Sequence, residues 1–219
     1  MNQSANKFSF ETENHLRRAV IYNFFACLFG KKIDELWLDP GFQKLLNEEL
    51  PSYDGKMQLL DHLNLAGSDL EAFNKIQNDF DNLFNIPSSD STFPYESCYA
   101  KKSSDGTFGR LWQEPARDMQ RIFKGWEIEF SDGWNLIPDH IAMQLFFMSH
   151  LCYLSVSNSY DQKEKLKIWQ TNFFNQHLVN WVFAFLANVE RRATTAFYRG
   201  GAQLLTAFLR RETSELFLN

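Results

Sequence analysis

Apolar side chains return every third or fourth residue through almost the whole chain, and nowhere do they settle into sustained alternation. A period near 3.6 winds into a helix with one stripe to bury, whereas a period of 2 makes a strand, so the pattern admits little besides packed helices. Leu16, Val20, Ile21, Phe24, Phe25 and Leu28 form such a stripe from about Glu13, with Gly30 as a stop. Asp39-Pro40 reads as a cap and a first-turn proline ahead of Phe42, Leu45, Leu46 and Leu50, before Pro51 ends the segment. Residues 56–66 allow another helix, and Ser68 with Glu71 reads as a capping box in front of Leu70, Phe73, Ile76, Phe80, Leu83 and Phe84. Further helices are predicted from about Trp112 or Pro115 through Trp126, from Pro138 to about Val156, over 161–190 as one long or two short helices, and over 193–211. The predicted fold class is all-α: a single-domain helical bundle over 13–219 behind a flexible N-terminus, 1–12. The long loop at about 86–111, rich in serine, proline and glycine, interrupts it, and loops of that length inside a compact domain are often functional.

A chain of 219 residues suits one continuous core. Its 22 Phe, 6 Trp and 7 Tyr exceed what closing that core requires, so some rings are expected to face a partner. The net charge of −5 is unevenly spread, with 15 acidic against 8 basic side chains in residues 1–100. A duplex-binding protein shows the opposite, a clustered basic face, so no nucleic acid is expected as a partner. An acidic surface serves solubility or a cationic partner such as an arginine-bearing peptide, and both readings stand. Cys27, Cys98 and Cys152 are too scattered and odd in number for a disulfide framework or a CxxC metal site, which points to a reducing compartment. The first twenty residues lack a signal-peptide pattern, and no run of about 18 apolar residues spans a bilayer. The expectation is a cytoplasmic protein without stable membrane insertion.

Two short segments carry the functional question. In "LIPDHIAMQLFFMSHLC", residues 136–152, Pro138 at a first helical position and Asp139 in a first turn fit helix initiation, while His140 is less easily explained and leaves a binding site open. In "FPYESCY", residues 93–99, Phe93, Tyr95 and Tyr99 beside Glu96 and Ser97 either cage a cationic side chain or pin the loop to the bundle. A Ser97–His140–Asp139 triad is disfavoured, because adjacent residues on a helical turn diverge by about 100°. His15, His62, His140, His150 and His177 show no metal-ligand spacing, no phosphate-binding loop is present, and Gly200-Gly201 suits close helix packing. No cofactor, metal or catalytic residue is expected.

"FPYESCY", then "IPDHIAMQLFFMSHL", "FFNQHLVNWVFAF" and "AFYRGGAQLLTAFL", together spread over about 14–211, resemble the TorD/DmsD family of molybdoenzyme maturation chaperones. The resemblance implies an all-helical, non-enzymatic protein. Its partner would be a molybdoenzyme precursor, through the twin-arginine signal peptide or the enzyme core, with export held back until the cofactor is inserted. It carries a binding role to Asp139 and His140 within Pro138-Asp139-His140, and to Tyr95, Glu96, Ser97 and Tyr99. Leu136 and Gln144 stand where acids are frequent in that family; Gln144 joins the expected site, and either the client is recognised with less local charge or Glu96, Asp132 and other acids supply it. Asp139 and His140 are accordingly expected to lie open to solvent beside an apolar furrow, where two guanidinium groups and an apolar segment dock. The competing readings are a hydrolase or nucleotide-binding enzyme using Glu96, Asp139 and His140, and an assembly factor that docks on the folded enzyme independently of its leader. A monomer and a domain-swapped dimer are both compatible with the sequence.

Overall fold

The computed structural model describes residues 2–85, 92–100, 109–130, 134, 136–157 and 159–217, apart from the side chains of 2–11, 157, 160 and 217. Among them lie eleven α-helices and no strand: α1 (Asn2–Gly30), α2 (Glu35–Leu38), α3 (Pro40–Glu49), α4 (Lys56–Ala66), α5 (Leu70–Phe80), α6 (Ser97–Ala100), α7 (Glu114–Gly125), α8 (Ile141–Ser157), α9 (Tyr160–Phe173), α10 (Val182–Arg192) and α11 (Ala196–Phe217). The all-α expectation holds.

The centre of the bundle is α8, whose stripe is almost wholly apolar: Ile141, Leu145, Met148, Leu151 and Cys152 are all fully buried. It lies along α1, where the Ser149 hydroxyl donates to the Ala19 carbonyl at 2.7 Å, and α9 packs on its other side. The α11 helix closes the core against α4 and α10. Gly200 is what lets α4 approach: a Cβ there would lie 2.5 Å from the Gly55 carbonyl oxygen, and Gly55 itself takes φ +88°, where an L side chain is strained. The sequence expectation of close packing at Gly200-Gly201 is met.

Most of the ring surplus fills the interior rather than facing outward. Phe29 meets Phe84 and Phe185 edge-on at 6.0 and 5.7 Å, Phe84 meets Tyr198 at 5.8 Å, and Phe147 lies 4.7 Å from Phe173. Such pairs add directional preference to apolar burial. Trp112, Tyr153 and Trp169 remain exposed.

One polar knot crosses this core. Arg18 on α1 donates through Nε and Nη2 to Glu212 on α11 at 2.8 and 2.6 Å, and through Nη1 to Gln170 on α9 at 2.9 Å. Tyr22 donates its hydroxyl to the same Glu212 at 2.7 Å, and Gln170 reaches Ser155 on α8. Four helices are thereby joined by one network.

Local corrections have local causes. Helix α1 reaches back to Asn2, through residues expected to be flexible, because neither proline nor glycine interrupts the chain before Gly30. Asp39 caps α3 by accepting from Phe42 N at 2.9 Å, as expected, but it also ends the short α2, which the pattern did not mark. The cap of α5 is Asp69, accepting from Glu71 N at 2.8 Å, while the Ser68 hydroxyl donates to Leu65 O. Residues 161–190 divide into two helices, since a π turn at Phe174–Leu178 precedes α10. The expected turn at Asp132-Gly133, and Asp132 as a source of charge, lie outside the described residues, as do 86–91 and 101–108 of the long loop.

Candidate functional site

The two informative segments fold onto each other. Ile141 N donates to Pro94 O at 2.8 Å and Glu96 N to Asp139 O at 3.1 Å, while Tyr95 and His140 form an isolated antiparallel bridge. The Asp139 carboxylate accepts from Ser97 N at 2.8 Å, capping the single-turn helix α6 that sits inside the expected loop. Asp139 and His140 are 0 % and 3 % exposed.

This overturns the expectation that the pair lies open to a furrow. Helix α8 begins at Ile141 rather than Pro138, because Ile137 through His140 close a turn, with His140 N donating to Ile137 O at 2.9 Å. Pro138 is a half-buried turn residue ahead of the helix. His140 is the residue that caps α8: its Nδ1 accepts from Ala142 N at 3.1 Å, which places the remaining ring proton on Nε2. Burial pushes the imidazole down to about 3, so it stays neutral as that acceptor role requires. The helix-initiation reading is corrected too: Pro138 and Asp139 lie in the turn before α8 and do not form its first turn, and the capping residue is His140, which that reading left unexplained.

The rings of the 93–99 segment likewise pin the loop. Tyr95 stands edge-on to His140 at 5.0 Å and Tyr99 lies 5.3 Å from Trp181, so neither forms an open cage. Ser97 is buried, and its hydroxyl accepts from Gln113 N at 3.2 Å, tying α6 to the start of α7. The residues of the hydrolase reading do not converge: Asp139 binds a backbone amide, His140 caps a helix, and Glu96 pairs elsewhere.

Removing the Asp139 carboxylate tests this staple. Asp139→Ala leaves the buried Ser97 amide without its acceptor, a loss of about 1–3 kcal/mol in urea unfolding, whereas Asp139→Asn keeps an oxygen there and loses less. Equal stability of the alanine variant and the unchanged chain would show that the carboxylate does not hold the loop.

Glu96 is the one acid of the segment that reaches a cleft. Its Oε2 accepts from Gln144 Nε2 at 2.6 Å and lies 3.1 Å from His177 Nδ1, and Gln144 in turn accepts from Trp181 Nε1 at 3.2 Å. Burial pushes the Glu96 carboxyl above its ordinary range, partly offset by the His177 and Gln144 contacts. Gln144, at the position where a carboxylate is absent, therefore orients Glu96 from full burial.

Glu96 and His177 form the floor of an open cleft of about 630 Å³. Glu114, Pro115, Asp118, Arg121 and Ile122 of α7 make one wall, and Trp169 and Gln176 the other. On the rim Arg121 pairs with Glu114 at 2.9 Å and with Asp118, and Arg117 with Glu114 at 3.3 Å. These ion pairs are exposed and individually weak. Trp169 is 43 % exposed and stands edge-on to Trp126 at 5.4 Å. The arrangement thus joins carboxylates with indole and aliphatic surface, the two chemistries a guanidinium recognises. Sequence reading missed His177, Trp169 and the α7 acids; the one available signal was the charged face Glu114-Arg117-Asp118-Arg121 opposite the buried Ala116, Met119 and Phe123 of an amphipathic helix. No group of histidine, cysteine, aspartate and glutamate suited to a metal occurs among the described residues.

The fold and this staple define an all-helical protein in which a loop is locked to the start of the central helix beside an acidic, aromatic cleft. The chain belongs to the nitrate reductase delta subunit family, whose family model matches residues 47–187. It is 27% identical over 209 residues to a chaperone protein TorD of Vibrio cholerae, covering 90% of each chain. A chaperone protein TorD of Vibrio parahaemolyticus is 26% identical over 210 residues, 91% of this chain and 94% of its own. One of Photobacterium profundum is 31% identical over 132 residues, 59% of this chain and 58% of its own. The resemblance to the TorD/DmsD chaperones holds at that level. Among the described residues no helix is long and apolar enough to cross a membrane.

Proposed function

We propose that this protein is a molybdoenzyme maturation chaperone that binds the twin-arginine signal peptide of a precursor in the Glu96–His177 cleft and acts before export, without catalysis. What carries the reading is the cleft: an open volume in which Glu96, Glu114 and Asp118 stand beside Trp169 and Ile122, in a chain whose family relatives are named chaperones. Guanidinium groups form charge-assisted pairs with carboxylates and stack on indole, and they are less strongly hydrated than ammonium groups, so they suit this lining better than lysine does. Asp139, His140, Ser97, Tyr95, Tyr99, Pro138 and Gln144 serve the site by holding its floor in place and do not themselves touch the peptide.

Calorimetric titration with a synthetic twin-arginine leader tests this. The unchanged protein is expected to bind the leader, and a twin-lysine version at least about tenfold more weakly, equivalent to about 1.4 kcal/mol. Glu114→Gln with Asp118→Asn is expected to weaken the arginine leader by a similar factor while leaving thermal unfolding unchanged. A precursor deleted of its leader that binds as tightly as the full precursor would favour docking on the folded enzyme instead.

A further inference from the structure

Trp112 is a strained residue two positions before Glu114, where α7 and its wall of the cleft begin. It has φ 58°, in the left-handed region that a bulky L residue rarely occupies, yet its side chain is 51 % exposed and so gains little burial in return. Its neighbour Leu111 is 41 % exposed. The strain is imposed from both sides: Gly109 N donates to Cys98 O at 2.8 Å before it, and Gln113 N donates to Ser97 Oγ at 3.2 Å after it, while the Gln113 side chain holds Leu111 O at 3.0 Å. Ser97 is itself fixed by Asp139. The buried staple thus ends in an exposed indole, and backbone strain kept without a packing return is characteristic of functional positions.

We propose that Leu111 and Trp112 form an apolar grip for the part of a client peptide that follows its arginines. This rests on the cleft reading above. The occupant is set by charge and continuity: Glu114 and Pro115, which line the cleft, stand two and three residues after Trp112 in the chain, so carboxylates and apolar surface lie within one short stretch. A segment in which guanidinium groups precede a run of apolar side chains matches this stretch when it lies antiparallel to it, with its arginines toward Glu114 and Asp118 and its apolar run toward Trp112. Trp112 acts as a binding residue, and Asp139, Ser97 and Gln113 as positioning residues for it.

The test is Trp112→Gly, with Trp112→Asn as a second variant, because both residues accept φ near 58° without the penalty that tryptophan carries. Both variants are expected to keep or raise the thermal midpoint and to bind a twin-arginine leader at least about fivefold more weakly, while Trp112→Phe retains most of the affinity. A leader whose apolar run is replaced by serine and glycine is expected to bind the unchanged protein and Trp112→Gly alike. Unchanged leader affinity in both strain-relieving variants overturns the grip, as does a lowered midpoint in both, which would make the indole a structural plug. A protein with intact Trp112 that binds no leader overturns the cleft reading instead, and the grip with it.

Discussion

Glu212→Leu is expected to destabilise the protein by about 3–5 kcal/mol, a large share of the stability of a typical domain. The leucine removes the only carboxylate that the Arg18 guanidinium meets among the described residues, and Arg18 is 8 % exposed, so its charge is left in the core with Gln170 as remaining partner. Tyr22, wholly buried, loses its acceptor in the same step. The cost belongs to stranding the partners and not to any large net gain from the pair, since desolvating two ions offsets much of their attraction. The double variant Arg18→Met, Glu212→Leu is therefore expected to recover most of the loss, measured by urea unfolding of both single variants and the pair. Additive losses would show that each side chain contributes separately and that the network has no shared term.

That network also marks what sequence alone conveys. Apolar periodicity locates α1, α3, α4, α7, α8 and α11 because each has one stripe to bury, and caps such as Asp39 act within three residues of one another. Arg18 and Glu212 lie at opposite ends of the chain, and nothing local to either names the other. The candidate site divides in the same way. Pro138-Asp139-His140 and Tyr95-Glu96-Ser97 are legible as unusual, yet their roles depend on a pairing between them that only the fold supplies. Once the two segments pair, Asp139 Oδ2 is taken up by the Ser97 amide and His140 Nδ1 by the Ala142 amide, and both side chains are buried. Glu96 is itself 7 % exposed and reaches the cleft only at its floor, beside His177, which comes from a π turn that the helical pattern does not mark. The α7 acids carry no functional mark in the sequence, because a charged face on an amphipathic helix is ordinarily a solvated one. Buried staple and exposed cleft are consequences of one geometry: fixing Asp139 fixes Ser97, Ser97 fixes Gln113, and Gln113 begins the wall that carries Glu114 and Asp118.

The staple is expected to fail in acid, and His140 determines where. Its folded-state value lies at about 3, while an unfolded histidine titrates near 6.5. Above about pH 6.5 the imidazole is neutral in both states and contributes no pH dependence. Below that, the unfolded chain binds a proton that the folded chain refuses, so stability falls as pH falls, by about 1.4 kcal/mol per unit, until the folded value is reached. Protonation of Nδ1 would also remove the lone pair that accepts from Ala142 N, so loss of charge neutrality and loss of the α8 cap coincide. Glu96, raised by burial, works with the opposite sign, gaining stability as pH falls, while His62 and His150, lowered by burial, work in the same direction as His140. Comparison with His140→Asn isolates the one group, because asparagine supplies an oxygen to cap the helix but does not titrate. Urea unfolding from pH 7.5 to 4.5 is expected to give curves for the two proteins that run parallel above about pH 6.5 and converge or cross below it, the difference changing by about 1.4 kcal/mol per unit. Curves that stay parallel throughout would mean that the imidazole is protonated equally in both states, and that His140 does not cap α8 as a neutral acceptor.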